Sequence, residues 1–100
     1  NWKVPANSLA WILATDKDPD IRDGKAALKW AKVACEGEGS QNPDYLDTLA
    51  ASYAEAGQFD MAVKTANECL ELARLSGDEA FVAEVAKRLQ AYRNSRAYVE

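Results

Sequence analysis

The side chains of this chain that could do chemistry are few and dispersed. Asp16-x-Asp18-x-Asp20 sets carboxylates at alternate positions, the spacing of a calcium loop. Ile21 stands where such a loop needs glycine for its sharp turn, and Ala27 stands where a bidentate glutamate must close it. These aspartates therefore read as a solvated turn that caps the following helix. Cys35 and Cys69 lack CxxC spacing, and with no histidine anywhere the usual zinc ligand sets cannot be assembled. Two cysteines are also too few for a disulfide scaffold; a single bridge between them is the minor alternative to free thiols packed as small hydrophobes. Free thiols point toward a reducing, cytoplasm-like compartment. Without histidine, a glycine-rich phosphate loop or a GxSxG elbow, the usual general base, phosphate cradle and nucleophile are missing. We expect no catalytic residues, no metal and no cofactor.

Charge narrows the partners. The formal net charge is -4, with Lys+Arg 12 against Asp+Glu 16, which is not the clustered basic face that nucleic acid requires. The acidity is concentrated between residues 43 and 78, where Asp44, Asp47, Glu55, Asp60, Glu68, Glu71 and Asp78 face only Lys64 and Arg74. No apolar run approaches the roughly 18 residues of a membrane span. The chain opens on Asn1 with no signal-like run, and we expect it to be a piece of a longer protein.

Composition and punctuation predict an all-α domain. Alanine is the commonest residue, prolines number three, and β-branched residues are sparse. A first helix is expected from about Pro5 to Thr15, with Ala6, Leu9, Ala10 and Leu13 at helical spacing. The aspartate-rich stretch 15–24 breaks it. Asp23 or Gly24 caps a second helix carrying Ala26, Ala27, Trp30, Val33 and Ala34, which stops near Gly37 at the flexible connector EGEGSQ. Asn42 and Pro43 open a third helix with Leu46, Leu49, Ala50 and Tyr53 as its stripe. Gly57 ends it, Phe59 plugs the turn, and Asp60 is expected to cap a fourth helix whose stripe is Met61, Ala62, Val63, Ala66, Cys69, Leu70 and Ala73. A last helix from about Asp78 to Arg93 places Phe81, Val82, Val85, Ala86, Leu89 and Tyr92 inward and Glu79, Glu84, Lys87 and Arg88 elsewhere. The tail 94–100 carries too little apolar pattern to assign.

Leu49, Ala50, Tyr53, Gly57, Phe59, Ala62 and Leu70 fall at the spacing of the tetratricopeptide repeat (TPR), so the chain resembles that family. Departures occur at Leu46, Ala66, Cys69 and Arg74, where the pattern favours tryptophan, a large aromatic, alanine and proline. Leu9, Ala10 and Leu13 align with Leu49, Ala50 and Tyr53 at a separation of 40, whereas Ala26 and Trp30 align with Ala62 and Ala66 at 36, which locates an insertion in the aspartate-rich turn. The resemblance implies a short α-solenoid: hairpin 5–37 with an extended turn, hairpin 43–75, and a capping helix 78–93. The ensemble is similar to the C-terminal repeat segment of larger bacterial multi-repeat proteins.

The same resemblance implies a concave groove lined by the first helix of each hairpin. Its flanking positions are Asn7, Trp11, Asp44, Asp47, Ala51, Glu55, Lys87 and Gln90. It further implies a non-catalytic scaffold that binds a protein or peptide segment, and the acidic centre would favour a basic one. The lysine, arginine and asparagine clamp that some members use for a C-terminal carboxylate survives only as fragments at Asn7, Trp11, Thr48 and Lys87. Trp11 is either the anchor for a ligand or a surface for a preceding repeat, and Trp2 reads as the remnant of such a unit. The alternative function is a structural end cap or self-association module. Weak association of copies through the surface around Trp2 and Trp11 is the expectation on that reading.

Overall fold

The structure is a computed structural model that describes residues 2–100. It consists of five α-helices: α1 (Lys3–Thr15), α2 (Gly24–Ala34), α3 (Pro43–Glu55), α4 (Phe59–Ser76) and α5 (Glu79–Arg93). No strand occurs among the described residues. Of the extents 36 × 34 × 21 Å, the shortest equals two helix diameters, so the helices form two layers. α1 packs on α2 and α3, α2 also on α3, α3 on α4, and α4 on α5. No helix is long and apolar enough to cross a membrane among the described residues.

The helix starts follow from their caps. Asp23 accepts from Ala26 N–H at 3.1 Å, Asn42 from Asp44 N–H at 2.9 Å, and Asp78 from Phe81 N–H at 3.0 Å. α1 begins at Lys3, earlier than expected, yet Pro5 still lies in the first turn, where a missing N–H breaks no helical bond. The expected cap at Asp60 is corrected: Gln58 is the N-cap residue, and Asp60 sits inside the first turn, where its charge suits the helix dipole. At the end of α3, Gly57 takes φ 81°, Gly57 N–H bonds Ala54 C=O, and Gln58 N–H bonds Tyr53 C=O. That is the Schellman closure for which glycine is suited.

Two glycines set how closely backbones approach. A Cβ on Gly24 would lie 2.6 Å from Ala56 N, so the start of α2 runs directly against the end of α3. A Cβ on Gly39 would lie 1.9 Å from Ala34 O. The connector expected to be flexible is therefore a 3-10 turn, Gly37–Gln41, folded over the end of α2 with Gly39 buried.

The core differs between the two halves. Leu46, Ala50, Tyr53, Ala66, Cys69, Leu70, Val85, Leu89 and Tyr92 form the main cluster across α3, α4 and α5. α1 and α2 instead bury alanines, Ala6, Ala10 and Ala14 facing inward with Ala27, Ala31 and Ala34. Short side chains let those helices pack closely, and that leaves Leu9 exposed where the spacing had placed it in the core. Met61 is likewise exposed. α3 is the central helix, with Leu46, Asp47, Thr48 and the whole run Ala50–Ala54 buried.

Candidate functional site

Trp11 on α1, Asp47 on α3 and Arg88 on α5 come together on one face of the molecule. That face is covered by the C-terminal tail. α5 ends in a second Schellman closure, with Ser95 N–H to Tyr92 C=O at 3.0 Å and Arg96 N–H to Ala91 C=O at 2.9 Å. Ser95 occupies the left-handed position at φ 55°, where glycine is usual. The chain thereby reverses, and residues 96–100 run back along α5 without regular secondary structure toward the end of α1.

Three side chains hold this segment. Trp11 Nε1 donates to Glu100 Oε1, and Thr15 Oγ1 lies 3.2 Å from the same oxygen while its hydroxyl also donates to Trp11 C=O at 2.6 Å. Glu100 N–H donates to Thr15 C=O at 2.8 Å. The Arg88 guanidinium lies 4.7 Å from the Tyr98 ring centroid and 5.1 Å from that of Trp11, whose rings are themselves 6.0 Å apart. Arg88 is thus shared between two aromatic faces.

Beneath the aromatics, Arg88 Nη1 donates to Asp47 Oδ2 at 2.8 Å, with side-chain exposures of 11% and 8%. Glu84 approaches Arg88 from the same helix at 3.6 Å. Burial raises the Asp47 carboxyl to about 6, although Arg88 pulls it back down. Burial opposes the charge on Arg88, but Asp47, Tyr98 and Tyr92 together outweigh it, and the guanidinium is held more firmly protonated than usual. Tyr92, buried close by, has its phenol raised above the ordinary range by desolvation and by Asp47.

The expected groove residues divide by environment. Trp11 lies half-buried against the alanine cluster of Ala14, Ala27 and Ala51, beside the tail. Asp47 and Ala51 are buried. Asn7 is half-buried, and its Oδ1 has no hydrogen-bond partner among the described residues. Glu55 pairs with Arg22 at 3.4 Å across the insertion turn. Asp44 remains exposed at the start of α3. Lys87 and Gln90 are exposed, and with Tyr98 and Val99 they line a shallow cavity of about 410 Å³ at the outer edge of the tail.

Arg88, Thr15, Tyr98 and Glu100 complete the site, although the spacing argument did not select them. Arg88 is corrected from the outer face to the inner one. On a helical projection it lies about 60° from Val85 and about 40° from Tyr92, so it borders the apolar stripe rather than standing opposite it. The two tryptophans grouped on one association surface are also separated. Nine positions place them about half a turn apart, and Trp2 is 77% exposed while Trp11 meets the tail.

The cysteines are free. Burial lifts the Cys69 thiol to about 12 and the Cys35 thiol to about 11, which makes both poor nucleophiles. No cluster of metal-ligating side chains occurs among the described residues. Compared with protein-family models, curated proteins and solved structures, the chain matches none.

Proposed function

We propose that the chain is a non-catalytic module of tetratricopeptide type that binds a protein or peptide segment in the groove between α1, α3 and α5. On this reading α1–α2 and α3–α4 are stacked hairpins and α5 is the closing helix. The packing order, in which α3 meets both helices of the preceding pair, supports that arrangement. One observation carries the binding role: a non-helical stretch of this chain, residues 96–100, lies in the groove through side-chain and backbone contacts of the kind a peptide ligand makes. The charge argument for a basic partner is reduced, because Asp47 and Glu55 are already paired with arginines. Asp44 is the groove acid that remains exposed.

The test is a panel of short peptides, aromatic-acidic and basic, titrated into the full chain while backbone amide shifts are followed by NMR. Shifts confined to α1, α3, α5 and the tail are expected. Shifts elsewhere, or none at millimolar peptide, would reject the groove.

The end-cap or self-association reading has its own support. Trp2, Pro5, Leu9 and Ile12 form an exposed apolar stripe on the side of α1 away from the tail, with Trp2 77%, Leu9 40% and Ile12 48% exposed. Concentration-dependent sedimentation that Trp2→Ala and Leu9→Ser abolish would favour it, and strictly monomeric behaviour would dismiss it.

A further inference from the structure

The groove's occupant reveals what the groove prefers. Resting on the groove-binding proposal, we infer that the seat formed by Trp11, Thr15 and Arg88 takes segments of other proteins in which an aromatic residue is followed two positions later by an acid, and that the chain's own Tyr98 and Glu100 are a tethered competitor for it.

Each contact selects one feature. The cation between two ring positions requires an aromatic side chain at the place of Tyr98, because an aliphatic group offers no π face to Arg88. The indole N–H of Trp11 donates to a carboxylate oxygen of Glu100, so an acceptor is wanted there; the Thr15 hydroxyl lies 3.2 Å from the same oxygen but shares its one proton with Trp11 C=O at 2.6 Å. A lysine there would offer no acceptor to the Trp11 indole N–H. The Glu100 N–H to Thr15 C=O bond fixes the register between these two positions. The acid is recognised through its side chain, so an internal segment of a partner satisfies the seat.

The tail is suited to yield. Tyr98 is half-buried, while Val99 and Glu100 are exposed and held at their edges. The turn that delivers them places a non-glycine residue at positive φ, a conformation with an intrinsic cost. A tethered ligand competes at an effective concentration near millimolar, so an incoming segment must exceed it in affinity or in number of contacts.

The probe is a synthetic peptide with the sequence of residues 94–100, NSRAYVE, titrated by calorimetry into two chains of residues 1–100: wild type, and a variant with Tyr98→Ala and Glu100→Gln. The expectation is binding to the variant at least about tenfold tighter than to wild type, in keeping with removal of a competitor. Peptides with alanine for the tyrosine, or lysine for the glutamate, should lose at least about tenfold on the same variant. Tyr98→Ala alone is a milder second variant and should show an intermediate gain; circular dichroism confirms the helices in each chain. Equal affinity for both chains would overturn the competitor role. Equal or better binding of the lysine peptide would overturn the ligand class while leaving a binding groove in place. No binding of any peptide to any chain would overturn both this inference and the groove. A wild-type dimer that forms at high concentration and is lost in the variant would replace the outside partner with a second copy exchanging tails.

Discussion

Arg88→Met isolates the centre of the site, since methionine keeps most of the apolar stem and removes the guanidinium. Two contributions are lost, and they depend differently on pH. The first is the stacking of the cation on Trp11 and Tyr98, at roughly 0.5–1 kcal/mol for each ring at a partly exposed site. The second is the pairing with Asp47. In the wild type the Asp47 carboxyl sits at about 6, so at neutral pH its ionisation beside Arg88 contributes about 1.4 kcal/mol relative to the protonated form. Without Arg88 its pKa rises further, and the group stays protonated at neutral pH rather than bear an unpaired buried charge.

The sign follows from linkage. A carboxyl raised above its unfolded value contributes stability at acid pH that is lost as pH rises toward the folded value. In the wild type this loss runs from about pH 4, the unfolded value, to about pH 6. In the variant it continues past neutrality. Urea unfolding followed by circular dichroism should therefore show Arg88→Met less stable by roughly 2–3 kcal/mol near pH 7 but by only roughly 1–2 kcal/mol near pH 5. Asp47→Asn combined with Arg88→Met should lose the pH-dependent part. A penalty that is the same at both pH values, or larger at acid pH, would refute the coupling between Asp47 and Arg88.

Tyr53→Ala should cost about 3 kcal/mol in urea unfolding, because its ring completes the α3–α4 cluster, and wild-type melting would contradict that role. Gly24→Ala forces a Cβ to 2.6 Å from the Ala56 nitrogen and should cost about 1–3 kcal/mol by the same measurement. Ser95→Gly relieves the left-handed turn before the tail, and a gain of about 1 kcal/mol in thermal unfolding is expected; a loss would show that the turn is not strained. Iodoacetamide at mildly alkaline pH should modify Cys35 and Cys69 slowly in the native chain and rapidly in urea, because burial holds both thiols protonated; equal rates would contradict their placement.

The residues that made the fold legible are those whose role is local. Asp23, Asn42 and Asp78 begin helices through hydrogen bonds within three residues of themselves, and Gly57 ends one through its own φ, so a single sequence carries these signals in full. What it carries less well is the number of neighbours a helix has. The pattern of α3 assigns Leu46, Leu49, Ala50 and Tyr53 to the core, a single stripe, yet Asp47, Ala51 and Ala54 are buried too because other elements cover that side. Asp47 then reads as an acid offered to a ligand, whereas it is buried and paired with Arg88. Its partner Arg88 is 41 positions away and was assigned to the outside for the same reason, that charge on a helix is usually solvated. Periodicity weighs each residue by its hydropathy, so it misplaces both halves of a buried ion pair together. The tail fails differently. Ala97, Tyr98 and Glu100 have no period to read, and their order depends on α1 and α5 already being in place. The candidate site is thus made from the parts of the sequence with the weakest local signal, as follows when its side chains meet only after the helices have packed.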